Sequence, residues 1–232
     1  MRSGTTRTTE RKEPARLHLI VLVLLAAPFY LNDFASIYIA DWRLWLLVDY
    51  LGVKLFPLAV TLWLIRSNTL QLADLGLVKQ SVPSFIVVFV TVTLIGTLID
   101  QNGYSLIAAL PNYGAVGSMP PIDSPVWDWI DLTFGLLLVG VVEELVFRGY
   151  MQTFLRGYTE RPVVIVAVSS VAFGLIHWSL GLHAVVITSI IGAVFMIAYL
   201  RVRALPAIML AHFAINFIDF AGVVPKEIFK FV

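Results

Sequence analysis

The sequence predicts an all-α fold, a polytopic transmembrane bundle of about seven helices. Hydrophobic residues make up 59% of the 232-residue chain and charged residues only 13%, about half the share usual in soluble globular proteins. Several apolar runs reach the length of about 20 residues that a bilayer span needs. Lys and Arg gather in alternate connections, the pattern of a multi-pass chain under the positive-inside rule. A formal net charge of +1, with no basic tract, argues against a nucleic-acid partner. The absence of cysteine excludes disulfides, thiolate metal sites, a cysteine nucleophile and lipidation at cysteine. The lipid bilayer is the expected surrounding, and no feature sets an oligomeric state.

Residues 1–16 carry Arg2, Arg7, Arg11, Lys12 and Arg16. They read as a cytoplasmic tail, since no small-residue cleavage site follows them. Residues 17–232 read as a single membrane domain. Apolar runs place helices over 17–38, 44–65, 82–99, 127–155, 163–178, 183–200 and 204–220. The first run is interrupted early by Asn32 and Asp33. The second contains Asp49 and Lys54, five apart and so off the favourable i,i+4 pair spacing; either burial against neighbours or snorkelling of Lys54 is open to them. Residues 112–125 are rich in Gly, Pro and Ser and read as a loop. Trp127 and Trp129 behind it suit an interfacial belt.

The connections set an orientation. Arg66 and Lys79, Arg156 and Arg161, and Arg201 and Arg203 fall on the same side as the basic N-terminus, whereas the long connection 100–128 holds acids but no Lys or Arg. The N-terminus is therefore expected in the cytoplasm. In a prokaryote the membrane would be the inner or plasma membrane.

Polar residues inside the later runs need an explanation, because charge at that depth costs several kcal/mol unless paired or used. In VVEELVFRGY, Glu144 and Arg148 are four apart and lie about 40° from each other on the helix wheel, while Glu143 lies about 140° from Arg148. Glu144 is thus expected to neutralise Arg148, leaving Glu143 to face the bundle interior, where an unpaired carboxylate can serve as a base. A purely structural ion cluster is the competing reading. FGLIH places Phe173 and His177 on one face of the fifth run, and HFAIN places His212 and Asn216 on one face of the seventh. An interfacial histidine and an interhelical hydrogen bond are the plainer readings of these two. Counting about 1.5 Å per residue from the cytoplasmic ends puts Glu143 and His177 near 20 Å and His212 and Asn216 at roughly 12–18 Å, which predicts one polar pocket.

The ordered set EELVFR (Glu143–Arg148), FGLIH (Phe173–His177) and HFAIN (His212–Asn216) resembles the CPBP family of intramembrane proteases, which includes the CAAX prenyl endopeptidases and bacteriocin-processing relatives. The family's motifs EExxxR, FxxxH and HxxxN/D are all present, over residues 127–220. The resemblance implies a glutamic-type endopeptidase acting on a membrane-associated peptide or protein tail, and a bundle that often has eight spans. By it, Glu143 and His177 activate water, His212 and Asn216 stabilise the oxyanion, and Glu144, Arg148 and Phe173 support the site, with no cofactor. Two other chemistries remain open. Glu143, His177 and His212 form a possible His₂Glu zinc set, although no HExxH is present. A proton- or ion-coupled transporter would use the same buried groups as a relay, although no internal repeat is seen.

Overall fold

The computed structural model describes residues 15–203 and 205–231, with the side chains of Ala15 and Arg16 excepted. Arg2, Arg7, Arg11 and Lys12 of the basic tail, and Ala204 at the start of the seventh run, lie outside the described residues. The described residues form seven helices and no strand. They are α1 (Ala15–Tyr38), α2 (Trp42–Arg66), α3 (Val82–Leu106), α4 (125–156), α5 (Pro162–Leu175), α6 (Leu182–Val202) and α7 (Leu205–Phe220).

Local chemistry sets the ends. The Asp41 carboxylate accepts from the backbone N–H groups of Arg43 (2.9 Å) and Leu44 (3.0 Å), so α2 starts at Trp42. Pro125 and Pro162 open α4 and α5 at positions where a missing N–H costs nothing. α3 runs on through Asp100–Tyr104, past the expected end at residue 99. Those polar residues have partners that a single run cannot reveal: Gln101 donates to Asp219 (3.2 Å), and Asn102 donates to the Phe229 carbonyl (2.8 Å). In contrast α5 stops at Leu175, short of the expected 178, and leaves His177 in the turn beyond it.

α1, α2, α3 and α6 are long and apolar enough to cross a bilayer, and α5 and α7 are shorter apolar helices. Large apolar side chains such as Val87, Val90 and Leu94 of α3 are exposed, as lipid-facing residues are. The protein is an integral membrane protein. α5 packs along α6, α7 lies against both α3 and α4, and α3 also meets α6. The centre is filled by Phe195, Met196 and Tyr199 of α6, Ala207, Ile208 and Ala211 of α7, and Val146 and Phe147 of α4. The α2–α3 loop, the end of α4 and the α6–α7 turn meet on one face. There Arg203 donates to Gln152 (2.8 Å) and to the Ala73 carbonyl (3.0 Å).

Of the two readings open to Asp49 and Lys54, burial is the one realised. The segment Asp49–Leu55 is a π-helix, whose wider turn places residues five apart on one face. Lys54 is buried and pairs directly with Asp49, and its Nζ also stands 3.6 Å from Asp131 of α4. It does not snorkel. Removing the shared cation leaves two buried carboxylates facing each other, and breaking such a pair costs about 3–5 kcal/mol. Lys54→Met is therefore expected to lower the thermal midpoint sharply in detergent, and Asp131→Asn, which keeps the Lys54–Asp49 pair, to lower it little.

Candidate active site

The site grows from the middle of α4. Glu144 and Arg148 are completely buried, and Arg148 Nη1 donates to Glu144 Oε1 at 3.0 Å. The expected i,i+4 pair is formed. Burying a guanidinium requires more than one anion, and aromatic faces supply the rest. Arg148 Cζ lies 4.0 Å from the ring centroid of Phe173 and 5.0 Å from that of Phe195, a cation–π arrangement worth about 2 kcal/mol when desolvated. Arg148 Nη2 also reaches the Gly192 carbonyl at 3.5 Å.

The stretch Leu145–Tyr150 is itself a π segment, which loosens the backbone ladder. Ser169 of α5 donates to the Phe147 carbonyl at 2.7 Å, so a group at risk of being orphaned is satisfied from the next helix.

His212 of α7 joins this pair. Its Nδ1 stands 2.8 Å from Glu144 Oε1. A carboxylate can only accept, so Nδ1 carries the hydrogen and Nε2 is turned the other way. Nε2 faces Glu143 Oε2 at 3.8 Å, outside hydrogen-bond reach. Glu143 is 7% exposed, and its Oε2 has no hydrogen-bond partner among the described residues. Arg148, Glu144 and His212 thus form a bonded chain that stops beside, without bonding to, a buried carboxylate with an unengaged oxygen.

His177 comes in from the turn after α5. Its ring centroid lies 5.6 Å from that of Phe173, and that of His212 lies 5.9 Å from the same ring, both edge-on. Both imidazoles therefore pack against one aromatic side chain. His177 Nδ1 also has no partner among the described residues. Asn216 sits one turn beyond His212 on α7 and is half-buried. The structure brings Glu143, Glu144, Arg148, Phe173 and His212 into direct contact, His177 through Phe173, and Asn216 by its place on α7. Among the described residues no three His, Asp or Glu side chains form a group that could hold a metal ion.

The sequence reading missed Phe195, Gly140 and Gly192. Phe195 approaches both Arg148 and His212, with its ring 5.4 Å from the imidazole; an aromatic residue within an apolar run carries no periodic signal of that task. Gly140 sits one turn before Glu144, and a Cβ there would stand 2.8 Å from the Met209 carbonyl oxygen and 3.1 Å from the Phe213 nitrogen. Its missing side chain lets α4 and α7 approach at the backbone, the use of small residues typical of membrane bundles. The signal was available as a glycine four residues before a buried acid. Neither contact can move aside, so Gly140→Val is expected to destabilise the fold by about 1–3 kcal/mol or more, as overpacking does, and to pull His212 away from Glu144. A lowered thermal midpoint together with lost turnover is the measurement to make.

Comparison with known proteins bears on the same region. Residues 125–218 match the family model described as type II CAAX prenyl endopeptidase Rce1-like, which is consistent with the resemblance to the CPBP family. The match spans less than half of the chain and covers the region that carries Glu143, Glu144, Arg148, Phe173, His177, His212 and Asn216. No curated protein and no solved structure matches the chain.

Proposed function

We propose, on the premise that residues 125–218 are an Rce1-like domain, that this protein hydrolyses a peptide bond in the tail of a membrane-associated substrate with water activated by Glu143. The observation that carries the proposal is the buried chain Arg148–Glu144–His212, which ends beside the unengaged carboxylate oxygen of Glu143.

In the reaction a water lies between Glu143 and His177. The Glu143 carboxylate takes one proton as the water oxygen bonds to the scissile carbonyl carbon. The carbonyl π pair moves onto its oxygen, and a tetrahedral oxyanion forms. Donors aimed where that charge develops are worth about 3–4 kcal/mol each. Two side chains of α7 suit the task. His212 as imidazolium offers Nε2–H, its ring held by Glu144 through Nδ1, and Asn216 offers an amide N–H one turn further on. Collapse of the oxyanion breaks the C–N bond. Glu143 returns its proton to the leaving nitrogen, so the products are a carboxylic acid and an amine, which exchange the water's second proton to become carboxylate and ammonium, and the enzyme is regenerated.

Glu144 has two jobs in this scheme: it neutralises Arg148, and through Nδ1 it fixes the direction of the His212 ring. Phe173 packs edge-on against both imidazoles and covers the guanidinium. No step needs a metal, so activity in detergent against a CAAX-tailed peptide is expected to survive exhaustive chelation. Loss of activity on chelation, restored by stoichiometric zinc, would overturn this scheme.

A further inference from the structure

We infer that Asp33 of α1 is a positioning residue for His177, so that the first helix, outside the Rce1-like match, completes the active site. This inference rests on the peptidase reading above.

His177 is the weakly held member of the constellation. α5 has ended before it, and its backbone (φ −101°, ψ 24°) lies between the helix and the short 3₁₀ turn Trp178–Leu180. A catalytic imidazole on such a junction is placed only as well as the chain on either side is placed. Both sides are held by one face of α1. Tyr30, Asp33 and Phe34 are three and four apart and so share that face.

Before His177, the N–H of Ile176 bonds to the Phe173 carbonyl (3.4 Å). This tightening is usual in a last turn, and the Ala172 carbonyl accepts from Tyr30 OH instead (2.7 Å). After His177, the Asp33 carboxylate accepts from the Ser179 N–H at 2.7 Å. Trp178 Nε1 donates to the Tyr30 carbonyl (3.1 Å), and the Trp178 ring packs on Phe34 with centroids 5.1 Å apart. α1 therefore grips the chain five residues before His177 and again one and two residues after it.

Among these contacts the Asp33 bond is the charge-assisted one, the strong class, and its partner Ser179 is almost completely buried. The opposite side of the turn is closed by the 107–124 segment, where Val116 N–H donates to the Ser179 carbonyl (2.7 Å) and Tyr113 OH to the Trp178 carbonyl (3.0 Å). The peptide after Trp178 is thus bonded through its N–H to α1, and the one after Ser179 through its carbonyl to the loop. Asp33 does not touch the reacting atoms; it acts through the turn.

Two measurements on the full-length protein in detergent test this. Asp33→Ala is expected to lower kcat by about 10²-fold, the cost of misplacing a catalytic group by about 1 Å, with KM little changed. The same variant is expected to raise amide hydrogen exchange across residues 176–181. Asp33→Asn keeps an oxygen acceptor and is expected to restore both quantities towards wild type. Faster exchange with unchanged kcat would overturn the positioning role, as would a lower kcat with unchanged exchange. Equal damage from Asn and Ala would overturn the assignment to the accepted hydrogen bond. A Glu143→Ala control as active as wild type would instead overturn the peptidase reading, whatever Asp33 does to the exchange.

Discussion

Glu143→Gln is expected to lower kcat by about 10²–10⁴-fold, the usual contribution of a positioned general base, and to leave KM nearly unchanged. Glutamine fills the same volume and keeps an oxygen toward His212, so packing at this buried position is preserved. It has no carboxylate to receive the proton of the attacking water. The neighbouring chain from Arg148 through Glu144 to His212 does not include Glu143 as a bonded member, so the variant should extract and melt like the wild type. A fall in kcat without a change in KM is the signature of an interaction made only in the transition state. Unchanged turnover would remove Glu143 from the chemistry and return it to the structural ion cluster that the sequence also allowed.

The second large effect belongs to Glu144. Glu144→Ala strands a guanidinium that is completely buried between Phe173 and Phe195. Breaking a buried pair from one side costs about 3–5 kcal/mol, and the same substitution frees the His212 ring from its Nδ1 partner. Stability and activity are therefore both expected to collapse. The double variant Glu144→Met with Arg148→Met separates them. With both partners of the pair replaced no charge of that pair is left stranded, and such replacements are often neutral or stabilising. The thermal midpoint is expected to recover, while turnover stays low because His212 has lost the carboxylate that turns Nε2 toward Glu143. Recovery of both would mean that Glu144 serves the fold alone.

The helices were readable from the sequence because lipid imposes a simple rule: apolar runs of span length must be helical. The Glu144–Arg148 pair was readable for the same reason, since a charge at that depth announces its own need for a partner. Residues whose partners lie on other helices were harder to interpret. The bond from His212 to Glu144 joins positions 68 apart in sequence, and helix-wheel reasoning on α4 alone assigned Glu144 only to Arg148. The direct pairing of Asp49 with Lys54 was not legible because the α-helical period was assumed where the chain adopts a π turn, and nothing in a single run of residues marks that change. His177 was expected within α5 because its surroundings are apolar. The helix stops earlier because α1 and the 107–124 segment provide the partners for a turn. Asp33 looked only like an early end to an apolar run, since its task depends on a turn nearly 150 residues away.

The central claim, that Glu143 drives peptide-bond hydrolysis on membrane-associated substrates, is tested most directly in cells. Peptide termini of membrane-associated proteins are compared between a strain making the wild-type protein and one making Glu143→Ala at equal abundance. The account predicts a set of new C-termini present with the wild type and absent with the variant, their uncut precursors accumulating instead. An identical set of termini in the two strains would contradict it.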